Sequence, residues 1–177
     1  MVKRMDRRKV LAVLAGGLVL GVGAAVTLAS WNDDEVATGD FTAGEFVFQG
    51  SSDGTTFTDH ATGDAPGELS FETGADTLSP GDVVYEAYAL KLTGDYDADL
   101  AATAPAETGT IAEDLAYGAV ATTAFGCDAA AFAGGSAVPT TIASGQTINL
   151  CLQVTAEDSI EQGDTGTVTW QWVAESK

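Results

Sequence analysis

The sequence predicts an all-β fold, an antiparallel β-sandwich of the jelly-roll or Ig-like type that follows an N-terminal signal helix. Short segments alternate apolar and polar residues, as the strands of a half-buried sheet do. Asp-Gly and Pro-Gly pairs between these segments are typical of tight turns. Long helix formers are scarce after the signal, whereas Gly and Thr are common. We therefore expect about seven to nine short strands and no long amphipathic helix outside the signal.

The strand candidates differ in length and regularity. In chain order they are Glu45–Gln49, Gly67–Glu72, Val83–Thr93, Tyr96–Thr103, Leu115–Thr123, Thr147–Thr155 and Thr167–Ala174. The third candidate is the longest and carries apolar residues on both faces, which favours a central position in a sheet. The sixth alternates most regularly, and its predicted inward side chains are Ile148, Leu150, Leu152 and Val154. A Gly/Ala-rich loop before it contains a predicted helical turn at Asp128–Phe132.

Residues 1–30 have the three parts of an export signal. Five Lys and Arg residues form a basic head, residues 10–29 are almost wholly apolar or Gly, and Ala29 and Ser30 end the run with small side chains. We expect signal peptidase to cut between Ser30 and Trp31. An uncleaved membrane anchor is the alternative, because roughly 20 apolar residues can span a bilayer. The Sec and twin-arginine routes both stay open, the second because of Arg7–Arg8.

The remainder divides into an N-terminal arm, residues 31–44, and a sandwich domain, residues 45–177. Without the signal the chain keeps two basic and 25 acidic residues, a formal charge of −23. Such a charge repels phosphates and anionic lipid surfaces, which excludes nucleic acid and argues against membrane binding after cleavage. The expected location is therefore secreted, either extracellular or at the cell surface.

Cys127 and Cys151 are the only cysteines, and both lie in the exported part. An oxidising compartment favours a disulfide between them. Cys151 falls on the face of its strand opposite the predicted core side chains, so a cysteine on a covering loop can reach it. Two free thiols, or a thiol nucleophile, are the alternatives. A nucleophile requires a histidine base, and His60 is the only histidine in the chain.

The sequence contains no pattern typical of an active site. Zinc-protease chemistry needs two histidines on one helix face with a glutamate between them, and His60 stands alone in a polar loop. Neither a glycine-rich phosphate loop nor a nucleophile elbow is present. We therefore predict that the protein is not an enzyme and has no cofactor.

A weak calcium site is one interpretation of Asp95, Asp97 and Asp99. Their spacing is that of the start of a calcium-binding loop. The rest of that motif is missing, because Leu100 stands where Gly is needed and Ala106 where the bidentate Glu belongs. A solvated strand face is the alternative.

Three short stretches resemble the TasA–camelysin family of proteins with SipW-type signal peptides. The first is the junction, Thr27–Asp33 followed by Phe41–Gly44, and the others are Leu78–Asp82 and the aromatic stretch Thr169–Ala174. The resemblance implies a non-enzymatic subunit of extracellular biofilm-matrix fibres, although part of the family has been called metalloprotease-like. Residues 95–144 match nothing in the family.

The resemblance and the arm together suggest how such a protein assembles. A short arm ahead of a β domain can add as a strand to the sheet edge of another copy, and such head-to-tail contacts propagate as filaments. Trp31 is the expected anchor of the arm, with Phe41 as a second candidate. The partner is then the protein itself. A monomeric Ig-like module for adhesion or ligand binding, displayed at the surface, is the alternative.

Overall fold

The computed structural model describes residues 7–8, 11, 35–60, 65–71 and 76–177. It separates two compact units, residues 1–41 and 42–177. Within the described ranges, all strands belong to the second unit. They are β1 (Phe46–Ser51), β2 (Val83–Gly94), β3 (Ala98–Ala102), β4 (Ala106–Gly109), β5 (Leu115–Thr122), β6 (Thr141–Ile142), β7 (Thr147–Ala156), β8 (Gly166–Thr169) and β9 (Trp172–Ser176), with one helix, α1 (Ala129–Gly134), between β5 and β6.

The strands form two facing sheets and a separate two-stranded ribbon. The large sheet has the order β1-β2-β7-β5, the small sheet the order β6-β3-β9, and β4 pairs with β8. All of these pairings are antiparallel. The core between the sheets consists of Tyr88, Leu90, Leu92, Ala98, Leu100, Ile142, Ile148, Leu150 and Leu152. The predicted all-β, sandwich-like fold is therefore confirmed.

The two central strands, β2 and β7, are covered on both faces. Leu150 and Leu152 face the core with no exposed surface, and Cys151, which points the other way, is equally buried. On the outer face, Phe132 of α1 contacts Tyr85 with ring centroids 6.0 Å apart, and the amino group of Lys91 lies 5.2 Å from the Phe57 ring. Burial of both faces explains why β2 carries apolar residues on both faces, as predicted for a central strand.

A tight turn fixes the start of β2. The backbone N–H of Ser79 donates to the Asp82 carboxylate at 2.8 Å, and the N–H of Asp82 donates back to the Ser79 carbonyl at 2.9 Å. Gly81 has a φ of +83°, which a residue with a side chain rarely adopts. Its N–H also donates to the carbonyl of Ala156 at the end of β7. The Leu-x-Pro-Gly-Asp sequence thus sets the register between β2 and β7.

One strand prediction is wrong and another is too long. No strand forms in the described part of the predicted segment 67–72, although Leu69 packs against the core and Phe71 contacts Trp170 at 5.8 Å. The predicted final strand is two strands, because the chain changes partner: β8 pairs with β4, and β9 pairs with β3. The predicted helical turn near Asp128 is α1, with the Asp128 carboxylate accepting the Ala131 N–H as its N-cap.

The predicted signal and its cleavage site at Ser30–Trp31 lie outside the described residues, apart from Arg7, Arg8 and Leu11. These three are helical and exposed. In the described part of the chain, no helix is long and apolar enough to cross a membrane.

Candidate assembly site

The residues described ahead of β1, 35–45, present their side chains to solvent. Every residue from 35 to 45 is exposed and outside regular secondary structure. Phe41 is 97% exposed and Val36 is 85% exposed. Trp31, the other predicted anchor, lies outside the described residues. Phe41 and Val36 are therefore accessible to another molecule.

The predicted disulfide between Cys127 and Cys151 is present. It joins the loop before α1 to the outer face of β7. Phe132 of this helix packs over Gly118 of β5, where an added Cβ would lie 2.7 Å from its ring. The bond and the helix together cover the outer face of the large sheet, so the cysteines belong to the scaffold.

Both ring nitrogens of His60 contact neighbouring loop atoms. Nε2 lies 2.8 Å from the Thr58 hydroxyl, and Nδ1 lies 3.1 Å from the Ala65 carbonyl oxygen. The imidazole thereby ties two parts of the β1–β2 connection to each other, the side chain of Thr58 and the backbone at Ala65. These contacts assign it a local structural role.

The three aspartates of the predicted calcium site each have a different partner. Asp95 accepts the Glu45 N–H at 2.9 Å, Asp97 accepts the Ser144 N–H at 2.8 Å, and Asp99 forms a 2.8 Å ion pair with Lys177. Among the described residues, no group of three or more His, Cys, Asp or Glu side chains is arranged to hold a metal. Calcium binding stays a sequence prediction.

Among the described residues, each edge of the large sheet is only partly paired. Along β1 the N–H and C=O groups of Gly50 point outward and bond to Thr58 at 3.0 Å, so by alternation those of Phe46 and Phe48 also point outward. In the ranges that the structure describes, these two residues have no outward backbone partner. Their side chains pack against the core and fill the space beneath this edge.

The edge along β5 follows the same alternation. Ala121 exchanges two backbone hydrogen bonds with Ser136, at 2.8 and 2.9 Å, so the backbone groups of Tyr117 and Ala119 also point away from β7. No described residue bonds to them on that side. An unpaired strand edge of this kind is a template for another strand.

The small sheet is open along β9. The Gln171 carbonyl accepts the Thr103 N–H at 3.0 Å, which means that Trp172, Ala174 and Ser176 turn their backbone groups away from β3. Here too the described residues supply no backbone partner. Trp172 stacks on Tyr88 of the large sheet at 5.5 Å, so the side chains of this edge are already part of the core contact.

A cleft of about 110 Å³ opens between the sheets beside the β5 edge. Its lining residues are Ala102, Thr103, Pro105, Tyr117, Gly118, Ala119, Trp170, Gln171 and Trp172. A cavity of about 150 Å³ takes one benzene ring, so this cleft is near the size of one side chain and well below the roughly 300–1,000 Å³ of a typical small-molecule pocket. Trp170 borders the cleft at the position where the chain changes from β8 to β9.

Tyr117, one of the lining residues, carries a polar group next to the cleft. Its hydroxyl is buried, and no described residue meets the geometry of a hydrogen bond to it. Burial and the neighbouring Glu107 carboxylate raise the pKa of Tyr117. The phenol and the Glu113 N–H, which donates to Glu107 at 3.0 Å, lower the pKa of Glu107. The phenol therefore stays neutral, with the Glu107 carboxylate beside it.

No protein-family model matches this chain, and no curated protein matches it. The TasA–camelysin resemblance is accordingly an interpretation of the three quoted motifs.

Sequence reasoning did not find the β5 edge or the cleft. Tyr117 belongs to a weakly patterned strand, and Pro105 belongs to a connection that was not predicted to be structured. The available signal was the spacing of Trp170 and Trp172, which places two large side chains on one strand face. This spacing identifies the strand face that the two tryptophans share. It does not identify the cleft beside them, because the cleft depends on the turn from β3 to β4, which is distant in sequence.

Proposed function

We propose that this protein is a secreted, non-enzymatic structural protein that assembles into extracellular or cell-surface fibres. Subunits join head to tail when the N-terminal arm of one copy adds as a strand to an open sheet edge of the next. Signal peptidase releases the arm during export, and assembly needs no cofactor. In this account the protein is its own principal partner.

The observation that carries the proposal is the combination of an exposed arm and unpaired sheet edges. The arm leaves Phe41 and Val36 in water, and the domain leaves backbone donors and acceptors unpaired along β1, β5 and β9 in the described residues. Strand addition would satisfy both at once, because it pairs the edge groups and buries the apolar side chains of the arm. The TasA–camelysin motifs at the signal junction support the same conclusion.

The test compares the protein starting at Trp31 with a shortened protein starting at Gly44. We expect the first to form filaments by negative-stain microscopy and to elute as large species in size-exclusion chromatography. The second should elute as a folded monomer, with unchanged circular dichroism and an unchanged urea midpoint. If the shortened protein forms the same filaments, the arm is only a spacer and assembly uses another contact.

The alternative function, a monomeric adhesion or ligand-binding module, is favoured by one observation. The cleft brings Tyr117, Trp170 and Trp172 together, and aromatic side chains are common at recognition sites. A protein starting at Trp31 that stays monomeric across a wide range of salt and calcium concentrations would support this function instead. Its cleft would then accept a single side chain or a group of similar size.

A further inference from the structure

We propose that the acceptor in this assembly is the β5 edge with its cleft, and that the inserted segment is residues 37–43 of a second copy with Phe41 as the anchor. This rests on the proposed function and specifies its contact. It differs from the sequence-based expectation, in which Trp31 is the anchor.

The β5 edge combines the two things that an incoming strand needs. Tyr117 and Ala119 offer outward backbone groups without a described partner, and the cleft beneath them is empty space between the two sheets. A strand paired with β5 would point every second side chain into that space.

The β1 edge lacks such a space. Phe46 and Phe48 pack against the core beneath it, and a Cβ added to Gly50 of β1 would overlap the Tyr88 hydroxyl. The β9 edge borders the same cleft, but of its outward-facing residues only Trp172 lines it, and Trp172 is already stacked on Tyr88. Both outward-facing residues of the β5 edge, Tyr117 and Ala119, line the cleft.

The arm has the side-chain pattern that the cleft requires. In an extended strand, Phe41 shares one face with Ala37, Gly39 and Ala43, so a single large apolar group stands among small ones. The opposite face carries Val36, Thr38, Asp40 and Thr42 and is mostly polar. The cleft of about 110 Å³ holds one side chain, which matches one Phe on an otherwise small face.

The position of β1 favours insertion into a second copy. The arm leads directly into β1, which lies at the opposite edge of the large sheet from β5. A contact between one end of a subunit and the far edge of another is heterologous and does not close, so it continues as a filament.

The edge is tested with Ala119→Pro in the protein starting at Trp31. This change removes an outward N–H while the neighbouring residues keep the hydrogen bonds to β7, and edge strands tolerate proline at such positions. The matched control is Ser176→Pro, which removes an outward N–H from β9. We expect Ala119→Pro to raise the critical concentration for filaments at least about tenfold and Ser176→Pro to change it less than about twofold.

The anchor is tested with Phe41→Ser, whose matched control is Val36→Ser on the other face of the arm. We expect Phe41→Ser to lower the amount of pelleted filament at least about tenfold and Val36→Ser to lower it less than about twofold. Electron microscopy checks that the pellet consists of filaments. A variant with both Ala43→Cys and Ala119→Cys keeps the Phe41 anchor and makes the proposal testable if the proline variant does not fold, because residue 43 shares the strand face of Phe41. Mild oxidation should link the peptides that contain residues 43 and 119 between subunits and give a ladder on a non-reducing gel. The pair Val36→Cys and Ala119→Cys should not.

The outcomes separate this proposal from the proposed function. If the protein starting at Gly44 is monomeric but Ala119→Pro and Phe41→Ser assemble like the unmodified protein, the β5 contact is wrong while arm-driven assembly stands. If Ser176→Pro blocks assembly and Ala119→Pro does not, the acceptor is β9. A link between residues 43 and 119 that is confined to monomers would mean that the arm folds back on its own domain. Filaments from the protein starting at Gly44 would overturn both proposals.

Discussion

Asp53 organises the turn after β1 with a single carboxylate oxygen. Oδ1 accepts the backbone N–H groups of Thr56 and Thr55 at 2.6 and 2.7 Å and the Ser51 hydroxyl at 2.9 Å. These hydrogen bonds, with that of Thr56 the largest effect, hold the pKa of Asp53 well below its usual range. The turn closes against Phe125, whose ring would lie 2.4 Å from a Cβ at Gly54, a residue with φ of +71°. The ionised carboxylate therefore stabilises the native turn.

This predicts a pH-dependent contribution to stability from one residue. Since the native pKa is depressed, the stabilisation is complete above the unfolded-state pKa of about 3.9 and is lost as the pH falls towards the native value. Asp53→Asn keeps an acceptor oxygen but cannot ionise. Urea midpoints of the two proteins should differ most at pH 5–7 and converge as the pH is lowered below about 4. A difference that grows on acidification would contradict this role.

At the scale of elements, the sequence predicted the strands in which burial decides the polarity of each face. The alternation in β7 and the two apolar faces of β2 survive in the structure because the core and the covering helix impose them. The segment around Leu69 and Phe71 shows the limit of this reasoning. Its side chains face inward as predicted, but it makes no strand, because pairing depends on which distant backbone is adjacent.

The open β5 edge illustrates the same limit at the candidate site. It arises because the chain leaves β3 for β4 near Pro105 and changes partner again after Trp170. Neither change of partner has a local sequence pattern. The disulfide could be predicted because the inference needs only two cysteines, the expectation of export and the opposite-face position of Cys151.

The covering loop and α1 should depend on that disulfide. Cys127 and Cys151 are 24 residues apart, and closing a loop of that size stabilises by about 3.5 kcal/mol on the chain-entropy model. Replacing both cysteines, Cys127→Ser with Cys151→Ala, should lower the free energy of unfolding by roughly this amount in urea titrations. Adding reductant should move the unfolding midpoint of the unmodified protein but not that of the variant. Equal unfolding midpoints for the unmodified protein and the variant in the absence of reductant would contradict a stabilising bond.

At the scale of the whole molecule, charge opposes assembly. A subunit without residues 1–30 carries a formal charge of −23, since two basic residues face 25 acidic ones, and the arm adds Asp40 to the contact that we propose. Raising the ionic strength from about 0.01 to 0.15 M shortens the screening length from about 30 to 8 Å. The rate of filament growth, followed by light scattering, should therefore rise with salt over this range. A rate that falls with salt would indicate that attractive ion pairs drive assembly.

The central claim is that a folded domain accepts the arm of another copy, and peptide binding tests it most directly. The protein starting at Gly44 contains two of the three tryptophans, Trp170 and Trp172, and both line the cleft. A synthetic peptide of residues 35–43 contains no tryptophan, so the indole emission reports on the domain alone. We predict a saturable change in that emission as the peptide is added, and a much weaker change with a peptide in which Phe41 is replaced by Ser. An emission unaffected by either peptide, at concentrations where the longer protein forms filaments, would contradict the claim.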